Sequence, residues 1–276
     1  MDTLILKLLF TIQGIGAASG LVYDDGQLHV ISDNSNYLYN YTIAEQELNK
    51  VLLMDQSANE DVPKKRKADF ESITFHDSTF FVLGSGSSKR RNSLQQYHSG
   101  TGKVAGKSMR KVYKALRKAY GVAEDDFNIE GLLFIGDELW LFNRGNGPLE
   151  RNGIFVLNAA TFSPKAFHDV PLGELSDVPL GFTDAILVDG RVYFTAAAEG
   201  GESSYHDGEV MGTVFGRLNP ETMAVEYTET LSTTHKFEGI TVYRKTASQI
   251  DFLLCEDPDN GTNTSTIYQL SKTLGE

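Results

Sequence analysis

The 276-residue sequence predicts an all-β fold: a five-bladed β-propeller closed by its own N-terminal strand, in a single domain over residues 1–276. Three observations predict it. A short phrase recurs five times at intervals of 52, 59, 54 and 54 residues, starting at Ser19, Glu71, Glu130, Asp184 and Glu238. Each phrase opens a strand, a tight turn and a second strand with the two-residue alternation of a half-buried sheet. The last repeat stops after its third strand near Leu270, and residues 4–12 supply a spare strand ahead of the first.

The phrases read Ser19-Gly20-Leu21, Glu71-Ser72-Ile73, Glu130-Gly131-Leu132, Asp184-Ala185-Ile186 and Glu238-Gly239-Ile240. The turns that follow include Asp24-Asp25-Gly26, His76-Asp77-Ser78 and Val188-Asp189-Gly190, which suit two-residue hairpins. Second strands are expected at 28–31, 80–83, 139–142, 192–195 and 250–254. Third strands are expected at 37–41, 154–157, 214–218 and 267–270. A plain β-sandwich would explain the alternation but not the recurring acid. Between the second and third blades, a helical insertion over about 103–126 breaks the pattern. Met109, Val112, Leu116 and Tyr120 share one helical face, with Ser108 as N-cap and Gly121 as stop.

Composition narrows the function. The net charge is −12, yet the stretch from Lys64 to Lys118 holds 14 Lys and Arg against Asp69, Glu71 and Asp77. The acidic balance argues against nucleic-acid binding, whereas the basic stretch suits a small anionic ligand. No stretch has the length and apolarity of a membrane helix. The first 20 residues mimic a signal peptide, but Asp2 and Lys7 interrupt that pattern, so a strand is expected there. The single Cys255 asks for no oxidising compartment, which favours a cytoplasmic location, with export as the alternative. The six histidines are scattered along the chain, and no Gly-x-Ser-x-Gly turn offers a serine nucleophile.

In a propeller the inner strand of every blade starts beside the central axis. Ser19, Glu71, Glu130, Asp184 and Glu238 are therefore expected to converge there, and four carboxylates in one channel call for protons or a cation. Oxygen donors without His or Cys suit Ca²⁺ better than Zn²⁺. A channel holding only water and sodium is the plainer alternative.

The phrases Ser19-Gly-Leu-Val, Lys236-Phe-Glu-Gly-Ile240 and Gly181-Phe-Thr, with Ala115-Leu-Arg-Lys-Ala-Tyr-Gly-Val122 running into Asn128-Ile-Glu130, resemble the soluble calcium-activated nucleotidases, or apyrases. The blade starts are also similar to those of phytase-like propellers. The resemblance implies an axial calcium held by Ser19, Glu71, Glu130 and Glu238, with Asp184 standing where the family has a serine. It also implies a nucleotide site above the ion, where Asp33 and Arg144 match an acid and an arginine; Asn34 and Ser35 replace a second arginine. On this reading Asp33 or Asp69 activates water and Arg144 and Lys236 hold a phosphoanhydride or phosphoester. The stretch Ala196-Ala197-Ala198-Glu199 is expected to be a donor-poor loop. A non-catalytic binding propeller with a structural metal is the alternative, and a two-carboxylate glycosidase ranks below it.

Overall fold

A computed structural model describes residues 3–200, 208–257 and 261–274. Strand β1 (Leu4–Gln13) comes first in the chain but ends up at the outer edge of the last blade. Blade 1 contains β2 (Ala18–Asp24), β3 (Gln27–Ser32), β4 (Tyr37–Thr42) and β5 (Glu47–Leu52). Blade 2 contains β6 (Phe70–His76), β7 (Thr79–Gly84), β8 (Ser93–His98) and β9 (Lys103–Ser108). After helix α1 (Arg110–Tyr120), blade 3 is built from β10 (Ile129–Ile135), β11 (Glu138–Asn143), β12 (Gly153–Asn158) and β13 (Pro164–Asp169). Blade 4 has the two-residue β14 (Glu174–Leu175), then β15 (Val178–Val188), β16 (Arg191–Gly200), β17 (Glu209–Leu218) and β18 (Val225–Ser232). Blade 5 has β19 (Phe237–Lys245), β20 (Gln249–Glu256) and β21 (Thr264–Thr273).

Closure follows the expected route. β1 runs antiparallel to β21, with Leu4 opposite Lys272 and Gln13 opposite Thr264. The N-terminal strand thereby completes the blade that the C-terminal segment leaves one strand short. The inner strands β2, β6, β10, β15 and β19 pack in a ring, each on the next and β19 back on β2. Asp25 and Gly26, Asp77 and Ser78, and Asp189 and Gly190 all take positive φ, the tight geometry that matches the twist of a two-residue hairpin.

Cohesion lies between blades, where apolar faces of neighbouring sheets meet. Phe182 stands edge-on to Phe142 at 5.2 Å and to Phe194 at 5.1 Å, and all three are fully buried. Burying one such side chain stabilises the fold by about 1.5–3 kcal/mol.

The insertion is shorter than the sequence suggests. Residues 103–108 form the fourth strand of blade 2, and only Arg110–Tyr120 is helical. Met109, rather than Ser108, is the N-cap, while Gly121 closes the helix in the left-handed conformation at φ 67°. Met109, Tyr113 and Leu116 are buried, and the Tyr113 hydroxyl donates to the Gly84 carbonyl at 2.9 Å, which fixes the helix to the end of β7. Among the described residues no helix is long and apolar enough to cross a membrane.

Candidate functional site at the charged end of the axis

Each inner strand begins with a β-bulge. The registers of β2, β6, β10, β15 and β19 slip between Ala18 and Gly20, Phe70 and Ser72, Ile129 and Gly131, Phe182 and Asp184, and Phe237 and Gly239. A bulge leaves one residue out of the ladder and re-aims its side chain. The five residues left out are Ser19, Glu71, Glu130, Thr183 and Glu238. The fourth ring position is therefore Thr183, not Asp184, and the ring carries three carboxylates and two hydroxyls. Asp184 takes the slot filled elsewhere by Gly20, Ser72, Gly131 and Gly239. Its Oδ1 accepts from the Ala185 N–H at 2.8 Å and its Oδ2 from the Ile240 N–H at 2.9 Å, which ties blade 4 to blade 5. Burial pushes its pKa well up, against the pull of those two donors.

The hydroxyls also serve the scaffold. Ser19 donates to the Phe70 carbonyl at 2.5 Å and Thr183 to the Phe237 carbonyl at 2.7 Å, each bridging to the next blade.

The ring carboxylates meet cations supplied by the protein. Around Glu238 and Glu130, Lys236 Nζ lies 3.0 Å from Glu238, and Arg144 Nη1 lies 3.7 Å from Glu130 and 3.9 Å from Glu238. Glu199 joins them, 2.7 Å from Arg144 Nη2 and 3.6 Å from Lys236. Arg144 reaches the axis because its neighbours make room. An added Cβ at Gly181 would come within 2.6 Å of Arg144 Cγ, and Gly145 turns the chain at φ 59° against the Arg151 backbone.

Around Glu71, Lys67 pairs with Asp33 and, at 2.8 Å, with Asp69. Asp69 also accepts from Arg91 at 2.7 Å and from the Ser85 hydroxyl at 2.5 Å. Carboxylate oxygens of Asp33, Asp69 and Glu71 lie within 4.8 Å of one another. Among the described residues the Glu71 side chain has no hydrogen-bond or ion-pair partner.

These surroundings set the protonation states. Burial raises Glu130, opposed by Arg144 and reinforced by Glu238, to about 8. Burial, then the charges of Asp69 and Glu130, push Glu71 well above the usual carboxylate range. Asp33 is raised by burial against the pull of Lys67. Burial works against the Lys67 ammonium, but Asp69, Asp33 and Glu71 outweigh it and raise its pKa.

The donor set does not fit a calcium ion at the ring. Calcium takes about six to eight oxygens. Here the ring offers three carboxylates, of which Glu130 and Glu238 face Arg144 and Lys236. The cluster at Glu71 already has the Lys67 ammonium against two of its three acids. Arg144 and Lys236 thus stand against two of the carboxylates that the sequence assigns to a metal, and Lys67 and Arg91 against the neighbouring Asp33 and Asp69.

Asp33, Asp69, Arg144 and Lys236, picked out from the sequence, are all in this network. Glu199, Lys67 and Arg91 are additions. The 196–199 stretch is not a loop: the three alanines are buried inside β16 and deliver Glu199 to Arg144. One of the scattered histidines has an acidic partner. His235 Nδ1 lies 2.5 Å from Glu256, whose other oxygen accepts from the Tyr268 hydroxyl at 3.0 Å. Burial and Glu256 push Tyr268 up to about 12.

Cavities open onto the network. One of about 310 Å³ is lined by Asp33, Lys67, Lys64 and Asp257, and another of about 250 Å³ by Arg144 and Glu199. Another cavity, of about 430 Å³, lies further along the inner strands and has a mixed lining, Leu21, Phe134 and Ile240 beside Thr74, His76 and Thr241.

Residues 14–271 match a family of unknown function, DUF6929. The chain belongs to that family. No curated protein matches its sequence. Among solved structures, this DUF6929 member is similar to the glutaminyl cyclase of Myxococcus xanthus, at 10% identity and TM-score 0.58 over 98% of this chain and 97% of the other. It is also similar to the Malassezia sympodialis allergen Mala s 1, at 10% identity and TM-score 0.61 over 96% of both. An exo-1,5-α-L-arabinanase from a bovine ruminal metagenomic library aligns at 12% identity and TM-score 0.53 over 92% of both. At such identities the likeness establishes the propeller fold, which enzymes and an allergen share, and not a chemistry.

Proposed function

We propose that the charged end of the axis binds a small anionic substrate and hydrolyses it, as a phosphoester or phosphoanhydride, without a divalent cation. The observation that carries this reading is the meeting of four buried cations with six carboxylates where two cavities open. Arg144 and Lys236, held by Glu199, Glu130 and Glu238, supply fixed positive charge for phosphoryl oxygens, as two-donor guanidinium contacts do. Asp33 lines the 310 Å³ cavity and is the better placed of the two candidate bases. Asp69 is occupied by Lys67, Arg91 and Ser85 and acts by positioning them. Glu130, protonated near neutral pH, is suited to protonate a leaving oxygen.

The second reading is a binding propeller that takes the same anion without turning it over. Its support is that Arg144, Lys236 and Lys67 are already engaged by internal carboxylates. A panel of phosphoesters and diphosphates, assayed with and without chelator, separates the two. Turnover that survives chelation, and is lost in Asp33→Asn, is expected. Binding without turnover of any member leaves the second reading standing alone.

A further inference from the structure

We propose that a groove on blade 2 is a subsite for a short oligophosphate chain, so that the ligand of the charged end carries at least two phosphate groups in succession. This rests on the reading of the charged end as an anion site and names the substrate class for it. The groove, of about 570 Å³, has Lys67 and Arg91 among its lining residues together with Lys64, Lys65, Lys89 and Arg90. Asp33 and Asp69 balance Lys67 and Arg91, and of the acids in the lining Glu124 pairs with Arg117 at 3.1 Å. Lys64, Lys65, Lys89 and Arg90 against Asp125 therefore leave an excess of about three positive charges, more than one phosphate can balance.

Two features make this more than a solvated basic surface. Lys67 and Arg91 are buried, and Asp69 holds both, at 2.8 and 2.7 Å. Their positions are therefore fixed before a ligand arrives, which lowers the ordering cost of binding. Lys67 and Lys64 also line the 310 Å³ cavity that contains Asp33. A chain lying along the groove thus brings its terminal phosphate to the proposed base, with exposed Lys65, Lys89 and Arg90 contacting the groups behind it. The remainder of the protein is strongly acidic and repels a long polyanion, so the geometry selects a short one.

The test measures binding, not turnover, of orthophosphate, pyrophosphate and tripolyphosphate by calorimetry at low and physiological salt. Wild type is compared with a Lys65→Glu/Lys89→Glu/Arg90→Glu variant, its fold checked by circular dichroism. Tripolyphosphate is expected to bind at least about tenfold more tightly than orthophosphate, with a steeper salt dependence. The variant should lose that margin while keeping its orthophosphate affinity. Adenosine triphosphate in parallel identifies the source: equal affinity places recognition in the phosphate chain alone, tighter binding adds a nucleoside, and both keep the subsite. Equal binding of all three phosphates overturns the subsite and leaves the axial site intact. So does an equal loss for all three in the variant, the mark of long-range steering. Failure of every anion to bind overturns the axial reading itself.

Discussion

The charged end has two halves that reach the same balance by different routes. In blades 1 and 2, Asp33, Asp69 and Glu71 face Lys67 and Arg91, all from one stretch of about 60 residues. In blades 3 to 5, Glu130, Glu199 and Glu238 face Arg144 and Lys236, with more than 100 residues between the first and the last. Each half has three acids against two cations. The first concentrates its contacts on one buried carboxylate, Asp69, and among the described residues no donor pairs with the Glu71 side chain. The second shares its contacts, since Arg144 and Lys236 each reach two or more acids. Concentrated contacts make one residue indispensable, whereas shared contacts spread the loss.

The largest test of that contrast is Asp69→Ala against Glu199→Ala. Losing Asp69 takes the paired carboxylate from Arg91 and leaves Lys67 on Asp33 alone, at an expected cost of about 3–5 kcal/mol, whereas losing Glu199 leaves Arg144 and Lys236 near other acids and costs about 1–3 kcal/mol. Urea midpoints at unchanged slope provide the measurement. Equal losses would break the comparison.

A pH series sharpens it. The folded pKa of Glu130, about 8, stands above its ordinary value of 4.5. The folded state thus keeps a proton that the unfolded state releases, and stability falls as pH rises from about 4.5 to about 8. For one proton the slope reaches about 1.4 kcal/mol per pH unit. Glu71 and Asp33 are shifted the same way and add to it. Glu130→Gln should flatten part of the slope in thermal melts between pH 5 and 8, and an unchanged slope would place the protons elsewhere.

The smallest expected effect is that of a chelator. With lysine and arginine neutralising the acids, removal of divalent cations should leave the melting temperature within about 1 °C, because only a ligand bound to the folded state stabilises it by mass action. A clear drop would restore a metal to the axis.

The architecture was legible in the chain because a propeller repeats its signals. Strand alternation, the hairpin turns at Asp25, Asp77 and Asp189, and the spare N-terminal strand are local or periodic features, and each survives in the folded sheets. The ring was legible to within one residue. A carboxylate at Asp184 looks like its counterparts, but the position that matters is the one outside the hydrogen-bond ladder, and the bulge before Asp184 selects Thr183. Residue type cannot report that slip, since register is set by pairing with β16.

By itself, then, the sequence determined the five-bladed closure, the acids gathered at the blade starts and the basic character of residues 64–118. Only the tertiary structure decided what neutralises those acids. Lys67 and Lys236 precede Asp69 and Glu238 by only two residues, but nothing in the spacing of Arg91 and Arg144 ties them to Asp69 or to Glu199 and Glu238. Ion pairing depends on distance across the ring, and that distance exists only once β1 has closed it on β21.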